Sequence, residues 1–198
     1  MNHMNTNKTS RRHFLRSASA IAIGSVALGF DVYSTSSQKK SKEEIFKELD
    51  GLVDKYLPVF GTCSQTTFHA LNETFNLRAD NIVRALSSFP GIAFRGETCG
   101  AVSGCLLGIA LVYEEADPET KPSRRLSRKP SIIFCSRFES EFGTTRCRDV
   151  IGHKTGKEYP VSKPEDYEFL SREGVYTYCP EVIKKALHDA AEIILEKS

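Results

Sequence analysis

The sequence lacks most of the short motifs that mark catalytic and cofactor sites. It has no Cys-x-x-Cys pair and no Cys-x-x-Cys-His, so neither a local pair of metal ligands nor covalent haem attachment is indicated. It has no His-Glu-x-x-His and no Gly-x-Ser-x-Gly, so the sequence does not indicate a zinc protease or an α/β-hydrolase. Neither glycine-rich phosphate loop is present, strand-like alternation is scarce, and no internal repeat occurs.

Long hydrophobic runs are also missing. The apolar stretch from Ala18 to Phe30 is shorter than the roughly 20 residues that a membrane-spanning helix needs. The apolar run between Glu97 and Glu114 is likewise too short, and it predicts a buried core helix.

What the N-terminus does contain is typical of an export signal. Arg11 and Arg12 are followed by Phe14 and Leu15, and then by the apolar stretch, as in a twin-arginine signal. We predict that residues 1–37 are signal and linker and that residues 38–198 are the working domain. The destination would be the periplasm or the extracytoplasmic side of the membrane, with membrane contact only through the signal during export. Because this route carries folded chains, it favours a protein whose cofactor is inserted before export.

Charge gives no sign of a nucleic-acid partner. Four of the 27 basic residues lie in the first 30 positions, which hold no acidic residue. The remainder therefore has 23 basic and 25 acidic residues, a net charge of −2. We expect no nucleic-acid binding.

Helical periodicity dominates the rest of the chain and predicts a single all-α, bundle-like domain of about five to seven helices. The first helix should begin after a capping box formed by Ser41 and Glu44 and should end at Pro58. The segment from Gly152 to Glu173 contains two prolines and is predicted to be irregular. The other predicted helices start near Thr62, Ala79, Thr98, Ser131, Arg146 and Cys179.

One predicted helix carries Gly100, Gly104 and Gly108 on a single face. Each glycine costs about 0.5–1 kcal/mol of helix stability relative to alanine, so something should approach this backbone closely. Another helix, a cofactor and the mate of a homodimer are all open as the approaching group.

Four of the six cysteines stand at predicted helix starts: Cys63, Cys99, Cys147 and Cys179. Unpaired N–H groups and the helix dipole lower the pKa of a thiol placed there and favour its thiolate. Cys105 and Cys135 instead lie inside apolar helical runs and are interpreted as small buried hydrophobic residues.

The residues from Cys99 to Gly104, Cys-Gly-Ala-Val-Ser-Gly, match a CGAxxG motif. Together with Cys63-Ser64-Gln65, the segment from Phe138 to Gly152 and the helix opened by Cys179, this motif resembles the C_GCAxxG_C_C family of redox-active proteins. The resemblance covers roughly residues 57–195. It implies a small helical domain with four functional cysteines that are redox-active or bind a metal or an iron–sulfur cluster.

Two interpretations of these cysteines stay open. In the first, Cys63, Cys99, Cys147 and Cys179 are ligands of an iron–sulfur cluster or another metal, or act as redox thiols with Cys99 and Cys63 as the catalytic pair; Gly100 and Gly104 would let the backbone approach the cofactor. An unidentified redox partner would then exchange electrons with the protein. In the second, an exported protein with an even number of cysteines is a disulfide-stabilised accessory subunit without chemistry of its own.

Overall fold

The computed structural model describes residues 40–114, 126–156, 164–172 and 174–197, so the predicted signal and linker at residues 1–37 lie outside the described residues. The α-helices of the described part are α1 (Lys42–Phe60), α2 (Cys63–Thr74), α3 (Asp80–Ala85), α4 (Gly91–Phe94), α5 (Gly100–Tyr113), α6 (Arg128–Phe142), α7 (Cys147–Thr155), α8 (Pro164–Arg172) and α9 (Cys179–Leu195). Two 3-10 turns cover Leu86–Ser88 and Val175–Tyr178. The described residues contain no strand, and the prediction of an all-α fold is confirmed. Seven of the helices have nine residues or more.

Helix α1 begins as predicted and ends later than predicted. The capping box is present, with the Ser41 hydroxyl accepting from the Glu44 N–H and the Glu44 carboxylate accepting from the Ser41 N–H. The expected end at Pro58 is wrong, because the helix continues to Phe60 and is closed at Gly61, whose N–H donates to the Leu57 carbonyl at 2.9 Å. Pro58 removes only one hydrogen bond in the last turn, and the buried face of the helix outweighs that loss.

Helix α5 is the centre of the domain. It contacts α2, α6 and α9, while α1 packs against α2 and α9. The core between these helices consists of fully buried side chains, among them Leu49, Leu71, Ile109, Phe134, Phe138, Ile183 and Leu187. None of the described helices is both long enough and apolar enough to span a membrane. The short apolar run of α5 is therefore a core helix, as its length predicted.

The glycine face of α5 packs against α2. A Cβ atom added at Gly104 would lie 2.9 Å from the Ser64 carbonyl oxygen and 2.9 Å from the Thr67 Cβ. A Cβ atom at Gly108 would lie 2.6 Å from a methyl group of Leu71. The group that approaches this face is therefore a neighbouring helix, α2, which was one of the three alternatives left open by the sequence.

Two other boundaries differ from the prediction. The segment from Gly152 to Glu173, expected to be irregular, contains α8, which begins at Pro164 and buries Leu170 completely. Proline disfavours a helix interior but is readily accommodated in the first turn of a helix, which is where Pro164 lies. Helix α6 begins at Arg128 rather than at Ser131, and its apolar residue Ile132 is 56% exposed.

Candidate four-cysteine site

Each of the four candidate cysteines stands at the start of a helix, as the sequence predicted. Cys63, Cys147 and Cys179 are the first residues of α2, α7 and α9, and Cys99 is the N-cap of α5. Each helix therefore directs the positive end of its dipole toward a sulfur atom.

The four cysteines border one cavity of about 360 Å³. Apolar side chains form most of its wall, and the lining includes Leu57, Pro90, Phe94, Ala101, Val150, Ile151, Val182 and Ile183. The polar side chains at its border include Thr62, Lys154, Ser171, Tyr176 and Tyr178. Four thiols from four separate helices thus face one largely apolar space.

A short backbone bracket holds Cys99 next to Cys147. Thr98 and Arg146 form an isolated antiparallel bridge. On either side of it, the Cys99 N–H donates to the Thr145 carbonyl at 2.8 Å, and the Cys147 N–H donates to the Glu97 carbonyl at 2.6 Å. This pairing brings together two cysteines that are 48 positions apart in the chain.

The Cys63 side chain can lie beside Cys99 because Gly100 has no side chain to occupy that space. A Cβ atom at Gly100 would collide with the Cys63 sulfur and would lie 2.9 Å from the Ser64 nitrogen. Gly100 and Gly104 do not border the cavity. In the structure these two glycines pack α5 against α2, and Gly100 thereby allows the Cys63 sulfur to lie beside Cys99.

The electrostatics of the four thiols differ from the prediction. The pKa of Cys99 is lowered, mainly because the Cys63 thiol donates a hydrogen bond to it and also because the N–H groups of Ala101 and Val102 face its sulfur. The same hydrogen bond, with burial second, raises the pKa of Cys63 well above its ordinary value. Burial likewise raises the pKa of Cys147 and takes that of Cys179 to about 12.

The expectation that all four helix starts would favour thiolates is therefore wrong for three of them. For Cys147 and Cys179, burial removes the hydration of the charged form, and this loss exceeds the stabilisation that a helix N-terminus provides. For Cys63 the larger cause is the hydrogen bond that its thiol donates to Cys99. Cys99 is therefore the only one of the four thiols whose pKa is lowered, and the pKa values of the other three are raised.

Cys105 and Cys135 take no part in this arrangement, since neither borders the cavity. Cys105 is fully buried, its thiol donates to the Ala186 carbonyl at 3.4 Å, and burial raises its pKa well above the ordinary value. Its interpretation as a small core residue is confirmed. Cys135 is only partly buried, so its interpretation holds in part. All six cysteines lie within the described residues and are free thiols there.

Sequence reasoning missed the side chains that organise the cavity. Arg148 donates to the Glu97 carboxylate at 2.8 Å across 51 positions, and Phe94 and Tyr178 contribute to the cavity border. Arg148 lies directly after Cys147, but nothing in the sequence pairs it with Glu97.

The fold and the site define a small helical domain organised around four cysteines. This chain belongs to the family described as "Putative redox-active protein (C_GCAxxG_C_C)", whose family model matches residues 61–193. The match includes all four cysteines of the cavity. Searches of curated proteins and of solved structures found no match.

Proposed function

We propose that the four cysteines form one redox centre, in which Cys63, Cys99, Cys147 and Cys179 hold an iron–sulfur cluster. The observation that carries this proposal is the convergence of four thiols, each at a helix start, on one cavity of about 360 Å³. Four cysteine thiolates are the usual ligand set of [2Fe–2S] and [4Fe–4S] clusters, and such a cluster supplies reversible electron transfer when bound.

The spacing of the thiols favours a group of several atoms over a single ion. A zinc ion bound by four sulfurs would require neighbouring sulfurs to be about 3.8 Å apart, since each Zn–S bond is about 2.3 Å long. Among the described residues, no three side chains of His, Cys, Asp or Glu are grouped closely enough to hold one metal ion. Cysteines that border one cavity without meeting at a point suit a larger occupant.

The protein environment would help to hold such a centre. Four helix N-termini face the sulfurs and stabilise negative charge, and most of the cavity wall is apolar. Cys63, Cys147 and Cys179 would each have to release a proton before acting as ligands, because their pKa values are raised. Export through a twin-arginine signal at residues 1–37 would be consistent with loading the centre inside the cell, before the folded protein leaves it.

A second function is favoured by the Cys63–Cys99 contact. Cys99, as thiolate, would attack one sulfur of a partner's disulfide, forming a mixed disulfide and releasing the partner's other sulfur as a thiolate. Cys63 would then pass its proton to that thiolate and attack Cys99, which closes a Cys63–Cys99 disulfide and releases the partner's second sulfur. The partner gains two electrons and this chain loses two.

Anaerobic purification of the full-length protein tests the two functions against each other. The cluster predicts stoichiometric iron and acid-labile sulfide, with visible absorption that bleaches on reduction. The dithiol function predicts no iron, and two thiols that are oxidised and reduced reversibly. Six cysteines found in stable disulfides, in protein that binds no metal, would contradict both and would leave the accessory-subunit interpretation.

A further inference from the structure

We propose that Arg148 is a positioning residue for the four-cysteine cavity, because it holds a left-handed turn against the start of α7 and so keeps one wall of the cavity closed. The turn covers residues 91–97 and includes the short α4, whose backbone departs from right-handed helical geometry at Ile92 and Ala93. Phe94 is the contribution of the turn to the cavity border. The inference rests on the geometry of the turn and holds whatever the cavity binds.

The turn has a backbone conformation that side chains disfavour. Ile92, Ala93 and Phe94 have φ values of 47°, 54° and 60°, and Gly91 and Gly96 are positive as well. For a β-branched residue such as Ile92, a positive φ is a genuine outlier. Conformations of this kind persist only where the surrounding structure fixes them, and they concentrate at functional sites.

Hydrogen bonds inside the turn provide part of that restraint. The Phe94 N–H donates to the Pro90 carbonyl at 2.8 Å, and the Glu97 N–H donates to the Gly91 carbonyl at 2.9 Å. Gly91 has no room for a side chain, since an added Cβ would lie 2.9 Å from the Gly96 nitrogen and 3.6 Å from the Cys147 Cβ. The turn is therefore packed directly onto Cys147.

Arg148 provides the restraint from outside the turn. Its guanidinium donates to the Glu97 carboxylate at 2.8 Å and makes longer contacts of 3.4 Å with the carbonyls of Arg95 and Gly96. Its backbone N–H also donates to the Gly96 carbonyl at 3.1 Å. Arg148, which directly follows Cys147, therefore contacts three successive residues that lie just before Cys99 in the chain. Loss of the Arg148 contacts should let the turn move away from α7 and should open the cavity wall between Cys99 and Cys147.

Arg146 offers a matched control. It also faces Glu97, at 3.9 Å, and pairs with Asp149 at 3.5 Å, but within the described part of the chain its side chain makes no hydrogen bond to the backbone of the turn. Arg146→Gln removes the same charge from the same neighbourhood as Arg148→Gln. A difference between the two variants then reports on the turn and not on net charge.

The test is alkylation of the reduced, metal-free, full-length protein by iodoacetamide, with each cysteine followed by peptide mass spectrometry. We expect Arg148→Gln to speed the labelling of Cys99 and Cys147 by about fivefold or more, equivalent to about 1 kcal/mol in the opening equilibrium. Arg146→Gln should leave both rates near wild type. Cys105, buried outside the cavity, should react at an unchanged rate in both variants and reports on global unfolding.

The direction of the change separates opening from a simple charge effect. The Arg148 cation lowers the pKa of Cys147, so its loss alone would raise that pKa and slow labelling. Unchanged or slower labelling in Arg148→Gln overturns the proposal, as does an equal acceleration of Cys105. If Arg148→Gln does not fold, Arg148→Lys replaces it, since lysine can keep the Glu97 ion pair but not the additional contacts with the backbone carbonyls of the turn. Faster labelling of Cys99 and Cys147, with unchanged labelling of Cys105, is then required of Arg148→Lys. No part of this experiment depends on whether the cavity holds a cluster.

Discussion

The Cys63 thiol donates a hydrogen bond to the sulfur of Cys99, which lowers the pKa of Cys99 and raises that of Cys63. The contact depends on Gly100, since a side chain there would occupy the position of the Cys63 sulfur. A helix-packing glycine thereby controls the chemistry of two thiols.

Removing the Cys63 thiol should raise the pKa of Cys99 and so slow its alkylation near neutral pH. In Cys63→Ala the hydrogen bond that lowers the pKa of Cys99 is lost, and we expect the midpoint of its alkylation rate against pH to move upward. The measurement is the labelling rate of Cys99 between pH 6 and about 10, a range that brackets an ordinary thiol. Cys63→Ser retains a hydroxyl donor and should keep most of the shift. Equal midpoints in wild type and Cys63→Ala would show that the hydrogen bond does not set the pKa.

Gly100→Ala should destabilise the fold and displace Cys63. Overfilling a packed contact typically costs about 1–3 kcal/mol, and here the colliding atoms include the Ser64 backbone, which cannot rotate away. Gly51→Ala is the control, because Gly51 is an exposed glycine inside α1 with no atom within 4 Å of an added Cβ. It should raise stability by about 0.5–1 kcal/mol. Urea unfolding measures both, and a neutral Gly100→Ala would contradict the close approach of α2.

The reduced, metal-free protein should lose stability at alkaline pH. A thiol whose pKa is raised on folding stabilises the native state fully below its unfolded pKa, near 8.5, and this stabilisation is lost as pH rises toward the folded value. For Cys179, with a folded pKa of about 12, the loss between pH 7.5 and 9.5 is on the order of 1 kcal/mol. Cys63 and Cys147 act in the same direction, while the lowered pKa of Cys99 acts in the opposite one.

The measurement is the free energy of unfolding in urea at the two pH values, under reducing conditions. Cys179→Ala should show a smaller decrease with pH than wild type, whatever its stability at pH 7.5. Identical pH dependences would mean that the Cys179 thiol ionises equally in the folded and unfolded chains.

Much of this site could be predicted from local sequence, and the rest depends on contacts between distant residues. Threonine before Cys63 and proline after Cys179 are local signals, and both cysteines open helices as those signals predicted. The raised pKa of Cys179 could not be predicted, because burial by residues of other helices causes it. The contact of Arg148 with Glu97 has no local signal either, since the two residues meet only when the start of α7 pairs with the residues that precede α5. Pro164 shows the opposite problem: a proline that opens a helix looks in sequence like one that ends it.

Loss of one cavity cysteine should abolish or severely reduce cluster binding, whereas loss of Cys135 should not. Cys147→Ser is the sharpest case, because the wild-type Cys147 thiol contributes neither to the Cys63–Cys99 hydrogen bond nor to the fully buried core. After anaerobic reconstitution, its bound iron and sulfide should fall several-fold or more, as expected when one of four thiolate ligands is removed. Cys135→Ser is the matched control, since Cys135 is partly buried like Cys147 but lies away from the cavity. A full complement of iron in Cys147→Ser would exclude Cys147 as a ligand. If wild type binds no iron while Cys63→Ser and Cys99→Ser lose reversible thiol oxidation, the dithiol function replaces the cluster. Circular dichroism of each variant confirms that the helices are intact before the metal content is compared.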